Sequence, residues 1–141
     1  MKSSFKINQS FYKKIEHAED LLVQGVSKQL KEIASDATGL GSFPVPSDTG
    51  AYVTSFSFTT GAGRPRGKAS KGKQRGVDKR QEGYDNLMQD INKFNSLEDL
   101  KTVQLRNGSP HALDVEYGSE VNETWKRSGY FVYAQLRNIY G

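Results

Sequence analysis

The 141-residue sequence contains no cysteine, which excludes disulfides, thiolate metal sites and a thiol nucleophile. This absence is typical of a protein that works in a reducing compartment. Histidine is also scarce: the only two, His17 and His111, are far apart in the sequence and neither has a partner at metal-ligand spacing. We therefore expect no metal site and no cofactor.

Apolar residues are few, at 35% of the chain, and no stretch approaches the roughly 20 consecutive apolar residues that span a bilayer. The first ten residues, MKSSFKINQS, contain no apolar segment of the kind found in a signal peptide. We expect a soluble, non-secreted protein with one domain over residues 1–141. With so few apolar residues, part of its surface is expected to be covered by a partner.

Positive charge is concentrated in one place. Residues 64 to 80, RPRGKASKGKQRGVDKR, have a net charge of +7, which leaves −3 for the rest of a chain whose total is +4. Because residues 64–76 have almost no apolar side chains, they are predicted to form an extended, flexible basic loop. The predicted contacts with a polyanion are Arg64, Arg66, Lys68, Lys71, Lys73 and Arg75.

Three targets for this loop stay open: the phosphates of duplex DNA, an acidic protein surface, or solvent alone. The loop has no aromatic side chain on which a base could stack, so recognition of single-stranded bases is disfavoured.

The apolar pattern predicts an α+β fold with a long N-terminal helix and a second helix packed on a mostly antiparallel β-sheet. Helices are predicted over residues 11–37 and 77–94, with close packing at Gly25 and a cap at Ser96. Strands are predicted over residues 51–60, 101–106, 111–117 and 129–139. The predicted sheet core comprises Phe56, Phe58, Leu113, Val115 and Tyr117.

Nothing in the sequence indicates a catalytic site, and we expect that the protein is not an enzyme. Asp48-Thr49-Gly50 matches the aspartic-protease triplet, but it lies in a polar turn after Pro46-Ser47. Glu116 and Glu120 are better explained as a solvated edge. An aromatic group near the C-terminus is predicted to be either core or subunit interface: Trp125, Tyr130, Phe131 and Tyr133.

Two phrases in this order resemble the tail-completion, or neck, proteins of tailed bacteriophages. The first is the turn Pro46-Ser47-Asp48-Thr49-Gly50, which follows the long helix and leads into a predicted strand, AYVTSF. The second is NGSPHALDVEYG, residues 107–118, which is similar to the family phrase Asn-x-x-x-Tyr-Ala-x-x-x-Glu-x-Gly with His111 in place of tyrosine. The family often closes with a helix, whereas residues 130–140 resemble a strand or an extended tail here.

The resemblance implies a structural virion protein that forms a homo-oligomeric ring, with a hexamer expected, at the head–tail junction or tail end. It also implies other neck and tail proteins as partners, duplex DNA in the channel as a possible contact, and the host cytoplasm as the place of assembly. The alternative, from charge alone, is a small nucleic-acid-binding protein without enzymatic activity.

Overall fold

The computed structural model describes residues 9–45, 50–61, 63–66, 78–110, 112–122 and 125–141, with only the backbone for residues 11, 114, 119–122 and 125–128. The chain has the predicted α+β class. Its elements are, in order, α1 (Gln9–Ala37), α2 (Ala51–Thr54), β1 (Phe56–Thr60), α3 (Arg80–Ile91), α4 (Leu97–Lys101), β2 (Val103–Asn107), α5 (Ala112–Tyr117), β3 (Gly118–Asn122), β4 (Trp125–Ser128) and α6 (Val132–Tyr140).

The long N-terminal helix is confirmed, but only its C-terminal half is packed. Leu30, Ala34 and Ala37 are buried, and α1 contacts α3, α4 and α6 rather than a sheet. The helix ends where Gly39 takes a φ of 83°, a left-handed conformation that glycine adopts without steric cost. The close packing expected at Gly25 is wrong, because no atom lies within 4 Å of a Cβ built there.

The strand predicted over residues 51–60 is wrong in its first half, which forms the short helix α2. The Thr54 hydroxyl donates to the Gly50 carbonyl at 2.6 Å, and the Ser55 hydroxyl donates to the Ala51 carbonyl at 2.5 Å. Both hydroxyls reach the carbonyl four residues earlier, and the Thr54 N–H also donates to the Gly50 carbonyl, which is the spacing of a helix and not of a strand. The strand that remains, β1, buries Phe56 and Phe58 as predicted.

The main sheet has two antiparallel strands, and α3 covers β1. In the register of β1 and β2, Phe58 lies opposite Leu105. The strand predicted over residues 101–106 begins at Val103, because Lys101 ends helix α4. The predicted cap of α4 is confirmed, since the Ser96 hydroxyl accepts a hydrogen bond from the Asp99 amide at 3.2 Å.

The strands predicted over residues 111–117 and 129–139 are wrong, because these regions contain helices α5 and α6. In α5, Val115 is buried as predicted, but Leu113 and Tyr117 are exposed and lie outside the core. In α6, Val132 and Leu136 are four residues apart and both buried, which is a helical spacing. Strands β3 and β4 form a separate antiparallel pair between the two helices.

Candidate interaction surfaces

Arg66 has an internal role in place of the polyanion contact predicted for it. Its Nη1 donates to Oδ2 of Asp90 and its Nη2 to Oδ1 of the same carboxylate, each at 2.7 Å. The guanidinium also donates to the Phe56 carbonyl at 2.9 Å and to the Asn86 carbonyl at 2.8 Å. A guanidinium with this many internal acceptors has little capacity left for a phosphate.

The position of this ion pair follows from the pairing of β1. Gly108 N–H donates to the Ser55 carbonyl, which fixes the alternation so that the backbone groups of Phe56 and Phe58 face away from β2. Asp90 accepts the outward N–H of Phe58 at 3.0 Å, while Arg66 donates to the outward carbonyl of Phe56. The pair therefore closes an edge that would otherwise offer unpaired backbone groups to another strand.

Of the other predicted polyanion contacts, Arg64 is exposed and lines a 360 Å³ cleft with Lys93. Lys68, Lys71, Lys73 and Arg75 lie outside the described residues. Because Arg66 is held on the body, it fixes the point from which the rest of the basic segment continues.

Three positions of the phrase 107–118 have conformational roles. The Asn107 amide group donates to the Tyr52 carbonyl at 2.8 Å, and its Oδ1 accepts from Ser109 N–H at 2.8 Å. The buried Glu116 carboxylate accepts the N–H groups of Tyr133 at 2.9 Å and Ala134 at 3.1 Å, which are unsatisfied donors of the first turn of α6. Gly118 has a φ of 90°.

Two tyrosines near Glu116 hold their protons firmly. Burial raises the pKa of Tyr133 to about 12, with a further contribution from the negative charge of Glu116. Burial also raises the pKa of Tyr52 far above its ordinary value, and Tyr133 and Glu116 add to the shift. Both groups stay neutral near pH 7, so they act as packing residues rather than as general bases.

A group of apolar side chains lies on the surface beside these tyrosines, and we call Leu113, Tyr117 and Phe131 the aromatic patch. They are 73%, 67% and 48% exposed, respectively. The rings of Tyr117 and Phe131 meet edge to face with centroids 6.5 Å apart. A 400 Å³ pocket lies next to them, lined in part by Leu113, Tyr117 and Arg137.

Phe131 has a φ of 51° and a ψ of 45°, the only left-handed non-glycine conformation among the described residues. Such a conformation costs about 1–3 kcal/mol and persists where the surroundings impose it. Here the Phe131 N–H donates to the Glu116 carbonyl at 3.1 Å and α6 begins at the next residue. These contacts therefore keep Phe131 in the left-handed conformation, with its ring exposed at the surface.

Of the predicted interface residues, Phe131 is exposed, and Tyr133 is half-buried with its ring 6.2 Å from that of Phe56. Tyr130 is half-buried. Trp125 lies in β4, where only the backbone is described. The pattern missed Leu113 and Tyr117, whose spacing of four residues would have indicated one helix face.

A second exposed apolar surface lies on the first half of α1, residues 9–22, which we call the α1 overhang. Tyr12 is 53% exposed and Leu22 is 54% exposed, with Ile15 exposed between them. None of the α1 overhang side chains that the structure describes belongs to the buried core. A helical segment of this length is marginal in water without tertiary contacts, so its apolar side points to a partner.

No helix among the described residues is long and apolar enough to cross a membrane. Within the same ranges, no three His, Cys, Asp or Glu side chains come together in an arrangement that could hold a metal ion. No protein-family model, curated protein or solved structure matches this chain.

Proposed function

We propose that this protein is a non-catalytic structural subunit of a tailed bacteriophage that forms a homo-oligomeric ring at the head–tail junction or tail end. The observation that carries the proposal is the exposure of apolar side chains at two separate places, the aromatic patch and the α1 overhang. Exposed apolar surfaces of this kind are typical of subunit interfaces, so both are suited to burial between copies of the chain.

The resemblance to neck proteins gains support from what its fixed positions do. Gly50, the last residue of the Pro-x-Asp-Thr-Gly phrase, has a φ of 72°, and a Cβ there would lie 2.3 Å from the Lys79 side chain; residues 46–49 lie outside the described part of the chain. Asn107 joins β2 to α2, Glu116 joins α5 to α6, and Gly118 has the left-handed φ at which α5 gives way to β3. The closing helix α6 also agrees with a family that often ends in a helix. The residues that carry the resemblance are therefore ones that this fold needs for its backbone conformation and its contacts between elements.

In the ring, the basic segment would contact either DNA in the channel or an acidic surface of an adjacent ring. Arg64, at the start of the segment, is exposed and described by the structure. Arg66 instead anchors the segment through its ion pair with Asp90. Such contacts are electrostatic and do not depend on base sequence.

Electron microscopy of the purified protein tests the proposal. We expect closed rings with a central opening. Particles of monomer size alone, together with absence of the protein from purified tailed virions, would remove the proposal.

The second candidate function is sequence-independent nucleic-acid binding, and it is favoured by the charge of +7 on residues 64–80. It predicts that the isolated protein binds duplex DNA with an affinity that falls steeply with salt. Replacing Arg64, Lys68, Lys71, Lys73 and Arg75 by glutamine should abolish binding, with Arg66 left intact so that the fold is preserved. Equal binding by the variant would eliminate this candidate.

A further inference from the structure

The apolar stripe of α1 extends beyond the part of the helix that packs on the rest of the protein, toward the N-terminal end of the helix. Tyr12, Ile15, Leu22, Val26 and Leu30 fall within an arc of roughly 80° at the 100° per residue of an α-helix. Leu30 is buried and Val26 is half-buried, whereas Tyr12, Ile15 and Leu22 are exposed. The same side of one helix is therefore covered by its own chain at one end and bare at the other.

At each bare surface one exposed charged side chain adjoins the apolar group, and the two are of opposite sign. The exposed Lys13 and Lys14 of the α1 overhang lie on the other side of the helix, and Glu116, which also lines the pocket, is buried and accepts two amides of α6. Glu16 and Glu19 are exposed on the α1 overhang, and by the same helical spacing Glu19 lies within the arc of the stripe and Glu16 roughly 40° outside it. At the aromatic patch, the exposed Arg137 lines the pocket together with Leu113 and Tyr117. The acidic helix face and the basic rim are complementary.

We infer that the α1 overhang of one copy docks on the aromatic patch of the next copy, with Glu19 of the helix facing Arg137 of the patch. The inference rests on the proposed ring function and names the two surfaces that would make its subunit contact. A contact between two different surfaces is called heterologous. When the rotation from one copy to the next is a whole-number fraction of 360°, repeating such a contact produces a closed ring.

A twofold pairing of two α1 overhangs is the competing arrangement, and charge disfavours it. The exposed stripe from Tyr12 to Leu22 is centred on residue 17, so antiparallel pairing would bring Glu16 and Glu19 of both copies close to the axis. Like charges at such a seam are destabilising, and Glu19 would be desolvated without a cationic partner on the axis.

The absence of cysteine allows a direct test by crosslinking. We would prepare Leu22→Cys and Leu113→Cys variants with tags of different mass, mix them, and treat them with a short bismaleimide. Both positions are exposed, so the substitutions should leave the fold intact. Gln89→Cys, on the exposed side of α3, replaces Leu113→Cys in the control mixture.

We expect a mixed Leu22–Leu113 product that is absent from the control, and a ladder of multimers from a chain that carries both substitutions. A product from Leu22→Cys with itself and no mixed product would overturn the inference in favour of the twofold pairing. If light scattering finds oligomers but no mixed product forms, the inference fails while the proposed function stands. If every sample contains only the 15.7 kDa monomer, the inference fails, and the proposed function fails with it when the protein is also absent from purified tailed virions.

A charge exchange gives a second, independent readout. Arg137→Glu should weaken association by about tenfold, and Glu19→Arg should do the same. The two changes combined should restore most of the loss, because the pair is reformed with its signs reversed. Single variants that assemble like the parent chain would show that these residues do not face each other.

Discussion

The Arg66 guanidinium lies in a two-point ion pair with the Asp90 carboxylate, and both N–O distances are 2.7 Å. The Asp90 side chain is 9% exposed and that of Arg66 is 25% exposed, so the pair is largely withdrawn from water. It joins the start of the basic segment to α3 and to the outer edge of β1. One arginine of a cationic run thus stabilises the fold.

Replacing Arg66 by alanine should lower the free energy of unfolding by about 2–3 kcal/mol, because Asp90 would be left as a buried charge without its cation. Arg64→Ala, two residues away and exposed, is the matched control and should change stability by less than about 0.5 kcal/mol. Urea denaturation of both variants measures the difference. Equal stability of the two would contradict the structural role of Arg66.

Asp36 joins the C-terminal end of α1 to α6. Its Oδ2 accepts the Tyr140 hydroxyl at 2.5 Å and its Oδ1 accepts Ser42 N–H at 2.9 Å. Burial would raise the pKa of Asp36, but the hydrogen bonds from Tyr140 and Ser42 outweigh it and hold the pKa below 3.8. Burial and the hydrogen bond to Asp36 raise the pKa of Tyr140 from 10.0 to about 12.

Tyr140→Phe should therefore cost about 1–2 kcal/mol of unfolding free energy near neutral pH. A lowered carboxyl pKa gives stability that is present above pH 3.8 and is lost as pH falls through the folded value. A raised tyrosine pKa gives stability that is present below pH 10.0 and is lost as pH rises through about 12. The difference in unfolding free energy between parent and variant should be constant between these pH values and should shrink at both ends.

Tyr12→Phe, on the α1 overhang, serves as the control. A difference in unfolding free energy between parent and Tyr140→Phe that is flat from pH 3 to pH 12 would refute this hydrogen bond.

At Phe131, glycine and alanine variants separate backbone strain from the loss of the ring. Both remove the side chain, but only glycine accepts a φ of 51° without steric cost. Thermal or urea unfolding should find Phe131→Gly more stable than Phe131→Ala by about 1 kcal/mol. Identical stabilities would mean that Phe131 is not held in the left-handed region in solution.

Two glycines on helices should respond in opposite directions to alanine. A Cβ at Gly83 would lie 2.3 Å from the Val53 carbonyl oxygen, so Gly83→Ala should destabilise the protein by about 2–4 kcal/mol through the forced separation of α3 and α2. Nothing lies within 4 Å of a Cβ at Gly25, so Gly25→Ala should stabilise α1 by up to about 1 kcal/mol. Denaturant midpoints of the two variants would check both signs, and a loss at Gly25 would indicate packing there after all.

The sequence was most informative where local signals and packing agree. The apolar stripe from Leu30 to Ala37 and the Ser96 cap are both visible within a few neighbouring residues of the sequence. Both predictions are confirmed. The C-terminal strands were mispredicted because Leu113, Val115 and Tyr117 alternate as a strand would. The buried Glu116 carboxylate instead caps α6 through two amides, and a contact over 17 residues leaves no local pattern.

The candidate surfaces were only partly predictable for the same reason. Phe131 was among the predicted interface residues on aromatic content, but its left-handed backbone depends on the Glu116 carbonyl and could not be read from neighbours in the sequence. Arg66 looks like any other cation of the basic run, and only the position of Asp90 on α3 distinguishes it.

Light scattering of the purified protein and of its Leu22→Glu variant tests whether the chain assembles through these two surfaces. Assembly through the α1 overhang and the aromatic patch predicts a parent mass that is a whole-number multiple of 15.7 kDa, and a variant that falls to the monomer mass with its fold intact. A parent chain that stays at 15.7 kDa at every concentration, or a variant that assembles equally well, would contradict the account.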